Sequence, residues 1–192
     1  MKRIGILGST RGTGMRAILA AIKEKKLIAE ISVVISNKPD AGILALAVEN
    51  HLPAQFVNSQ DLDRETYDRK VSAILEQAKI DVVVLVGYMR ILSAEFTNTW
   101  QQKIINVHPS LLPDFAGMMD LDVHRAVIAA GKQQTGCTVH YVTAELDAGP
   151  IILQKKCDVL PGDTPEILKA RVQALEGEGL VEALRFTDHY SD

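Results

Sequence analysis

Two side chains suited to acyl transfer, Asn106 and His108, lie at the end of an apolar stretch and are followed by Pro109 and Ser110. Alternate side chains of an extended strand point to the same face, so Asn106 and His108 are expected side by side. An amide can donate a hydrogen bond to a developing oxyanion, and an imidazole can take or give a proton. The pair indicates acyl-type chemistry, although a lone histidine at a strand end is more often structural than catalytic.

An acidic turn, Glu145 to Pro150, contains carboxylates that could serve such a pair. Asp147 could reach His108, hold its imidazole in one tautomer and raise its pKa, so that the ring shuttles a proton. The same residues also suit an ordinary turn, in which Asp and Gly are common. The sequence leaves both interpretations open.

Two further segments are candidate binding elements. The glycine-bearing turn Gly8 to Gly14 lies between a predicted strand and a predicted helix, where free N–H groups and the helix dipole favour a phosphate. It lacks both the G-x-G-x-x-G spacing and the P-loop lysine, so it predicts neither a dinucleotide nor a nucleoside triphosphate. A tight turn that needs glycine is the alternative. The segment Gly87 to Leu92 suits a flat heterocycle or, alternatively, a turn that re-enters the core.

Composition argues against several other classes of protein. The 21 Lys and Arg residues against 24 Asp and Glu residues give a net charge of −3, without a basic block, so no nucleic-acid partner is predicted. Two cysteines without C-x-x-C spacing predict a reducing, cytoplasmic location and no disulfide. The apolar runs are shorter than the roughly 20 residues that cross a bilayer, so no membrane insertion is predicted. The other histidines lack metal-ligand spacing and predict no metal site: His51, His124, His140 and His189.

The elements that must hold these residues alternate between apolar runs and amphipathic segments. The predicted strands are Lys2 to Gly8, Ile31 to Ser36, Ala54 to Val57, Ile80 to Val86, Lys103 to Val107, Cys137 to Val142 and Ile151 to Cys157. The predicted helices are Met15 to Lys25, Ala41 to Asn50 with Asp40 as its cap, Asp61 to Ala78, Ser93 to Trp100, Asp120 to Ala130 and Thr164 to Arg185.

Strands separated by helices predict an α/β fold with a doubly wound, mostly parallel sheet. The last two strands have no helix between them and predict an antiparallel strand pair towards the C-terminus. Functional residues of such sheets gather at the carboxyl ends of the strands. Length and composition predict a single domain over residues 1–192.

Four stretches of the sequence are the most specific: Asp81 to Leu92, Ile105 to Pro113, Gly136 to Gln154 and Pro161 to Gln173. Together they make the chain resemble the 10-formyltetrahydrofolate-dependent formyltransferases, which have a Rossmann-like fold. The resemblance implies that 10-formyltetrahydrofolate, as cosubstrate, gives its formyl group to the amine of glycinamide ribonucleotide in purine biosynthesis. It implies direct attack through a tetrahedral intermediate, with Asn106, His108 and Asp147 as catalytic residues. Both partners are small molecules, and the expected assembly is a monomer or a homodimer.

The resemblance also implies binding residues. The folate pteridine would contact Met89, Arg90, Ile91, Leu92, Ala144 and Glu145, and glycinamide ribonucleotide would contact Gly12, Thr13, Gly14 and Glu176. Two departures from the family pattern stand out. In the family, the turn after the first strand commonly reads S-G-N-G-S-N, whereas residues 9–14 of this chain read S-T-R-G-T-G. Backbone contacts with a phosphate could survive this change, and the missing side chain at Gly14 leaves the ribonucleotide affinity open. The loop from Phe115 to His124 is longer than usual and carries the bulky Met118.

Four alternative functions agree less well with the sequence. A formyltetrahydrofolate hydrolase usually has a second histidine after the catalytic one, where this chain has Pro109. Methionyl-tRNA formyltransferase continues into an R-G-x-x-P motif and a basic domain that this sequence lacks. A catalytically impaired folate-binding relative would not need Asn106, His108 and Asp147 together. A Rossmann-type oxidoreductase would need the glycine fingerprint.

Overall fold

A seven-stranded sheet forms the centre of the protein, which is described here as a computed structural model over residues 1–186. The strands are β1 (Lys2–Gly8), β2 (Ala29–Ser36), β3 (Ala54–Phe56), β4 (Val82–Val86), β5 (Ile104–His108), β6 (Gln134–Tyr141) and β7 (Ile151–Asp158). Their order is β3-β2-β1-β4-β5-β6-β7, and β1 to β5 are parallel. β6 runs antiparallel to both β5 and β7, which confirms the predicted mostly parallel α/β fold with an antiparallel pair near the C-terminus.

Six helices connect or follow these strands within the described residues. They are α1 (Thr13–Lys23), α2 (Gly42–Glu49), α3 (Arg64–Gln77), α4 (Ala94–Thr99), α5 (Asp120–Ala129) and α6 (Pro165–Phe186). The predicted cap of α2 is wrong: the N-cap is Ala41 instead of Asp40, with no side-chain cap. The backbone N–H of Ile43 is instead bonded to the carbonyl of Thr10, so contact with the glycine-bearing turn helps to satisfy the start of this helix. None of the described helices is both long and apolar enough to cross a membrane.

Alternating side chains of the central strands divide the core into two layers. On β4, Val82, Val84 and Val86 face the layer that includes residues of α1, α2 and α6. Val83 and Leu85 face the layer built with α3 and α4. Burial on both faces explains why the strand is a continuous apolar run, as the sequence predicted.

The parallel arrangement brings several strand ends to one edge of the sheet. Gly8 of β1 is the partner of Val86 on β4, and Leu85 on β4 is the partner of Asn106 on β5. The glycine-bearing turn, the segment after β4 and the Asn106 region therefore begin at the same edge. This is where ligands bind in open α/β sheets.

Candidate active site

Asn106 is held by a histidine on the neighbouring strand. Antiparallel pairing places Asn106 opposite His140 and His108 opposite Thr138. The Nδ2 of Asn106 lies 3.2 Å from Nε2 of His140, and Nδ1 of His140 lies 2.9 Å from the carbonyl oxygen of Tyr141. A neutral His140 that donates from Nδ1 can accept the Asn106 amide N–H at Nε2. This assignment fixes which end of the Asn106 amide faces His140.

Burial favours the neutral form of His140. Its side chain is buried, and this desolvation lowers the pKa of His140 against the opposing effects of the Tyr141 carbonyl and Asp147. The role of His140 was not predicted from the sequence, because its spacing from other histidines was informative only about metal binding. The sequence places His140 within a predicted strand, but it does not give the strand register that sets His140 opposite Asn106.

His108 lies between two hydrogen-bond acceptors. Its Nδ1 is 3.2 Å from Oδ2 of Asp147, and its Nε2 is 3.1 Å from the carbonyl oxygen of Phe115. Only the imidazolium form can donate to both acceptors at once. Burial lowers the pKa of His108 overall, while the Asp147 carboxylate and the Phe115 carbonyl oppose that shift. The pKa of His108 is therefore set by burial acting against these two acceptors.

Asp147 joins the loop after β6 to the end of β5. Its backbone has a left-handed φ of 52°, and its side chain is 8% exposed although the flanking residues of the loop are exposed. Oδ2 also accepts the backbone N–H of Gly117 at 2.8 Å, and Oδ1 lies 3.7 Å from Nε2 of His140. The contact with His108 that the sequence suggested is present. We call Asn106, His108, His140 and Asp147 the polar cluster.

The proline-rich loop after His108 is anchored to β6 and β7. Thr138 Oγ1 donates to the carbonyl of Ser110 at 2.7 Å and accepts the N–H of Leu112 at 3.0 Å. Gln154 Nε2 donates to the Leu112 carbonyl, also at 3.0 Å. These contacts fix the first part of the loop that brings Phe115 to His108.

The segment after β4 presents alternate side chains to opposite sides. Met89 and Ile91 are 47% and 53% exposed, whereas Leu92 is buried. The Arg90 side chain turns away from Met89 and Ile91, and its guanidinium carbon lies 4.2 Å from the centre of the Tyr67 ring. No described residue forms a hydrogen bond with the backbone of residues 90–92, which leaves an open peptide edge beside two exposed apolar side chains. Ala144 and Glu145, also implied in folate binding, lie exposed on the loop after β6.

The turn after β1 is shaped by Gly12, the N-cap of α1. Its φ is 79°, and an added Cβ would lie 2.8 Å from Cγ1 of Ile43, so both backbone angle and space require glycine. The first-turn N–H groups of α1, including those of Thr13 and Gly14, have no intrahelical partner. An added Cβ at Gly14 would point towards Leu180 and Val86 in the core. The side chain that Gly14 lacks would therefore start towards the interior, which gives no direct reason for weaker ribonucleotide binding.

Glu176 lies apart from the polar cluster. It is half-buried on α6, and burial raises the pKa of Glu176 to about 7, with Lys169 opposing the rise. The charge of Glu176 also contributes to the raised pKa of Cys137, whose side chain alternates with that of Thr138 on β6. Among the described residues, no hydrogen bond or ion pair joins Glu176 to the polar cluster. The structure thus brings together Asn106, His108 and Asp147, with Glu176 near the opposite face of β6.

Over residues 1–186, no three His, Cys, Asp or Glu side chains form a group that could hold a metal ion. What the polar cluster offers is N–H donors beside an imidazole and a carboxylate. Such a set can stabilise an oxyanion and move a proton.

The mostly parallel sheet agrees with the fold of solved formyltransferases. Residues 2–184 match the formyl transferase family, and the chain belongs to that family. It is 40% identical over 174 residues to phosphoribosylglycinamide formyltransferase of Escherichia coli (strain K12), which covers 90% of this chain and 81% of that protein.

Two further relatives extend the comparison. The solved structure of glycinamide ribonucleotide transformylase 1 from Symbiobacterium toebii has 38% identity and a TM-score of 0.93, and covers 98% of this chain and 88% of that chain. The trifunctional purine biosynthetic protein adenosine-3 of Drosophila pseudoobscura pseudoobscura is 39% identical over 188 residues. That match covers 95% of this chain but only 13% of the relative, so this chain spans a small part of the trifunctional protein.

Proposed function

We propose that this chain transfers the formyl group of 10-formyltetrahydrofolate to the amine of glycinamide ribonucleotide, a step of purine biosynthesis. The observation that carries the proposal is the meeting of Asn106, His108 and Asp147 at the carboxyl edge of the sheet in a member of the formyl transferase family. The names of the bacterial relatives support the same acceptor.

The reaction begins when the amine nitrogen attacks the formyl carbon and the carbonyl oxygen becomes an oxyanion. Asn106 Nδ2 has two N–H groups, one of which faces His140, so the other is available to the oxyanion. Protonated His108 supplies a second donor from Nε2. That atom lies 3.1 Å from the Phe115 carbonyl oxygen, so the oxyanion takes the place of this carbonyl. Both donors then stabilise charge that exists only after attack.

The intermediate collapses when the bond between the formyl carbon and the folate nitrogen breaks. The attacking amine loses one proton, and the departing folate nitrogen gains one, so the protein undergoes no net change. Asp147 assists this transfer, through water, and its negative charge supports the imidazolium of His108. No bond forms between the protein and the formyl group.

Binding of the two substrates uses separate parts of the sheet edge. The pteridine lies against Met89 and Ile91, and its ring nitrogens pair with the open peptide edge of residues 90–92. Ala144 and Glu145, exposed on the loop after β6, also contact it. The ribonucleotide phosphate binds the N–H groups of the turn at Gly12, Thr13 and Gly14, where no acidic side chain stands in the first turn of α1. Glu176 contacts the remainder of glycinamide ribonucleotide.

The proposal also covers the domain bounds, the cellular location, the assembly and the partners of this chain. We infer one formyltransferase domain over residues 1–192 that acts in the cytoplasm, as a monomer or homodimer, on small molecules and without a nucleic-acid partner. The predicted end of the domain, at residues 187–192, lies outside the described residues.

The decisive experiment follows release of tetrahydrofolate from 10-formyltetrahydrofolate with and without glycinamide ribonucleotide. Release that requires the ribonucleotide supports the transferase. Release without any acceptor would show a hydrolase instead. Folate binding without release under either condition would show an inactive binding protein, and each of these last two results would refute the proposed transfer.

A further inference from the structure

Helix α3 contacts the segment after β4, against which the folate pteridine is proposed to bind. The buried residues of α3 include Tyr67, Val71 and Leu75, which follow the four-residue spacing of a core-facing stripe. Asp68, beside this stripe, is also buried, with only 1% of its surface exposed. A carboxylate in such a place needs strong partners, because burying it without them is costly.

The partners of Asp68 lie in the segment after β4. Its Oδ2 accepts the backbone N–H of Ser93 at 2.6 Å. Burial raises the pKa of Asp68, while the Ser93 N–H and the positive charge of Arg90 oppose that rise. The Arg90 guanidinium also covers the ring of Tyr67, at 4.2 Å from its centre. Two adjacent residues of α3 therefore hold two points of the same short segment.

The other end of the segment is held by the turn after β1. Ser9 Oγ accepts the N–H of Met89 at 2.9 Å, and the N–H of Ser9 donates to the carbonyl of Gly87 at 3.2 Å. Residues 90–92 lie between these two attachments, and their backbone has no hydrogen-bond partner among the described residues. The shape of this free peptide edge therefore depends on how its ends are fixed.

We propose that Tyr67 and Asp68 are positioning residues for the folate site, because they hold the Arg90 to Ser93 stretch in the conformation that leaves its peptide edge open. Asp68 fixes the Ser93 amide, and Tyr67 fixes the Arg90 side chain on the side away from Met89 and Ile91. This inference rests on the proposed function for the identity of the ligand. Neither residue takes part in the chemistry, so their effect should fall on folate affinity and leave ribonucleotide affinity unchanged.

The test compares Asp68→Ala and Asp68→Asn with a control on the same helix, Ser72→Ala. Ser72 Oγ accepts the indole N–H of Trp100 at 2.9 Å, so its loss also weakens a contact made by α3 without touching the Arg90 segment. Dissociation constants for tetrahydrofolate come from calorimetry, and steady-state kinetics give KM for each substrate. Amide hydrogen exchange of Ser93, measured without ligand, reports the position of the segment directly.

We expect Asp68→Ala to weaken tetrahydrofolate binding by about tenfold or more, as loss of a hydrogen bond to a charged group predicts. The KM for glycinamide ribonucleotide and kcat at saturating folate should stay within about threefold. Asp68→Asn keeps an oxygen that can accept the Ser93 N–H and should recover most of the affinity. Exchange of the Ser93 amide should accelerate in Asp68→Ala but not in Ser72→Ala.

The positioning role is overturned if Asp68→Ala changes neither folate affinity nor Ser93 exchange, or if Ser72→Ala weakens folate binding equally. Should Asp68→Ala fail to fold, Tyr67→Leu replaces it in the comparison with Ser72→Ala, and unchanged folate affinity in Tyr67→Leu would overturn the proposal. If the wild-type protein does not bind tetrahydrofolate, the proposed function fails. The exchange measurement then still decides whether Asp68 holds the segment.

Discussion

Replacement of Asp147 by Asn separates the charge of this residue from its hydrogen bonds. One oxygen, Oδ2, accepts from both Gly117 and His108, and an amide oxygen in the same place can accept from both. Asn also tolerates the left-handed backbone found at this position, where φ is 52°. We therefore expect Asp147→Asn to fold normally and to lose only the negative charge beside the imidazole.

The magnitude follows from the burial of the pair. The side chains of His108 and Asp147 are 4% and 8% exposed, with 3.2 Å between the two nearest atoms. At an effective dielectric constant of about 20, two unit charges about 4 Å apart attract by about 4 kcal/mol, and desolvation offsets part of this. A loss of about 3 to 4 kcal/mol in the transition state lowers kcat by about 10² to 10³.

The assay measures release of tetrahydrofolate at saturating concentrations of both substrates. Asp114→Asn is the matched control, because Asp114 lies in the neighbouring loop and its carboxylate pairs with Lys132 at the exposed surface. We expect the control to keep its rate, since surface ion pairs contribute little. A kcat for Asp147→Asn within tenfold of wild type would refute the assigned role of the charge.

Three further predictions test other parts of the site. His108→Ala should lower kcat by at least about 100-fold and change the dissociation constant of tetrahydrofolate little, and full activity would exclude the mechanism. Gly12→Ala should lower the free energy of unfolding by about 1 to 3 kcal/mol in a denaturant titration, because it strains the backbone and crowds Ile43; unchanged stability would contradict this. Burial raises the pKa of Glu176 to about 7, above its ordinary 4.5, so the folded protein holds a proton that the unfolded chain releases as the pH rises between these values. Glu176→Gln should therefore be more stable relative to wild type at pH 8 than at pH 5, and thermal unfolding with no such difference would contradict the raised pKa of Glu176.

The sequence predicted the sheet and part of the polar cluster for identifiable reasons. Continuous apolar character identified β4, and alternation placed Asn106 and His108 on one face of β5. The position of Asp147 relative to His108 depends on a left-handed residue and the path of a loop, which spacing cannot give. His140 depends on the antiparallel register, and that register is set by packing across the whole of β6.

The direction of the side chain at positions 14 and 90 could not be predicted from the sequence either. Both were assigned to binding surfaces by resemblance, yet the Cβ direction of Gly14 leads towards Leu180, and the Arg90 side chain lies over Tyr67. At such positions the backbone faces the candidate site while the side chain, or the space for one, faces the interior. A sequence motif marks the position but does not distinguish these two directions.

His108 and His140 show how hydrogen-bond partners give two buried histidines different tasks. Their relative exposures are 4% and 2%, and burial lowers the pKa of both. His108 faces two acceptors, so its charged form satisfies both ring nitrogens. His140 forms hydrogen bonds with one carbonyl and the Asn106 amide, while the Asp147 carboxylate lies beyond hydrogen-bond distance at 3.7 Å, so its neutral form is matched. If His140 were protonated, its Nε2–H would oppose the Asn106 N–H and turn the amide oxygen towards itself. The remaining Asn106 donor would then point away from the oxyanion, so the proposed chemistry requires a neutral His140 beside a protonated His108.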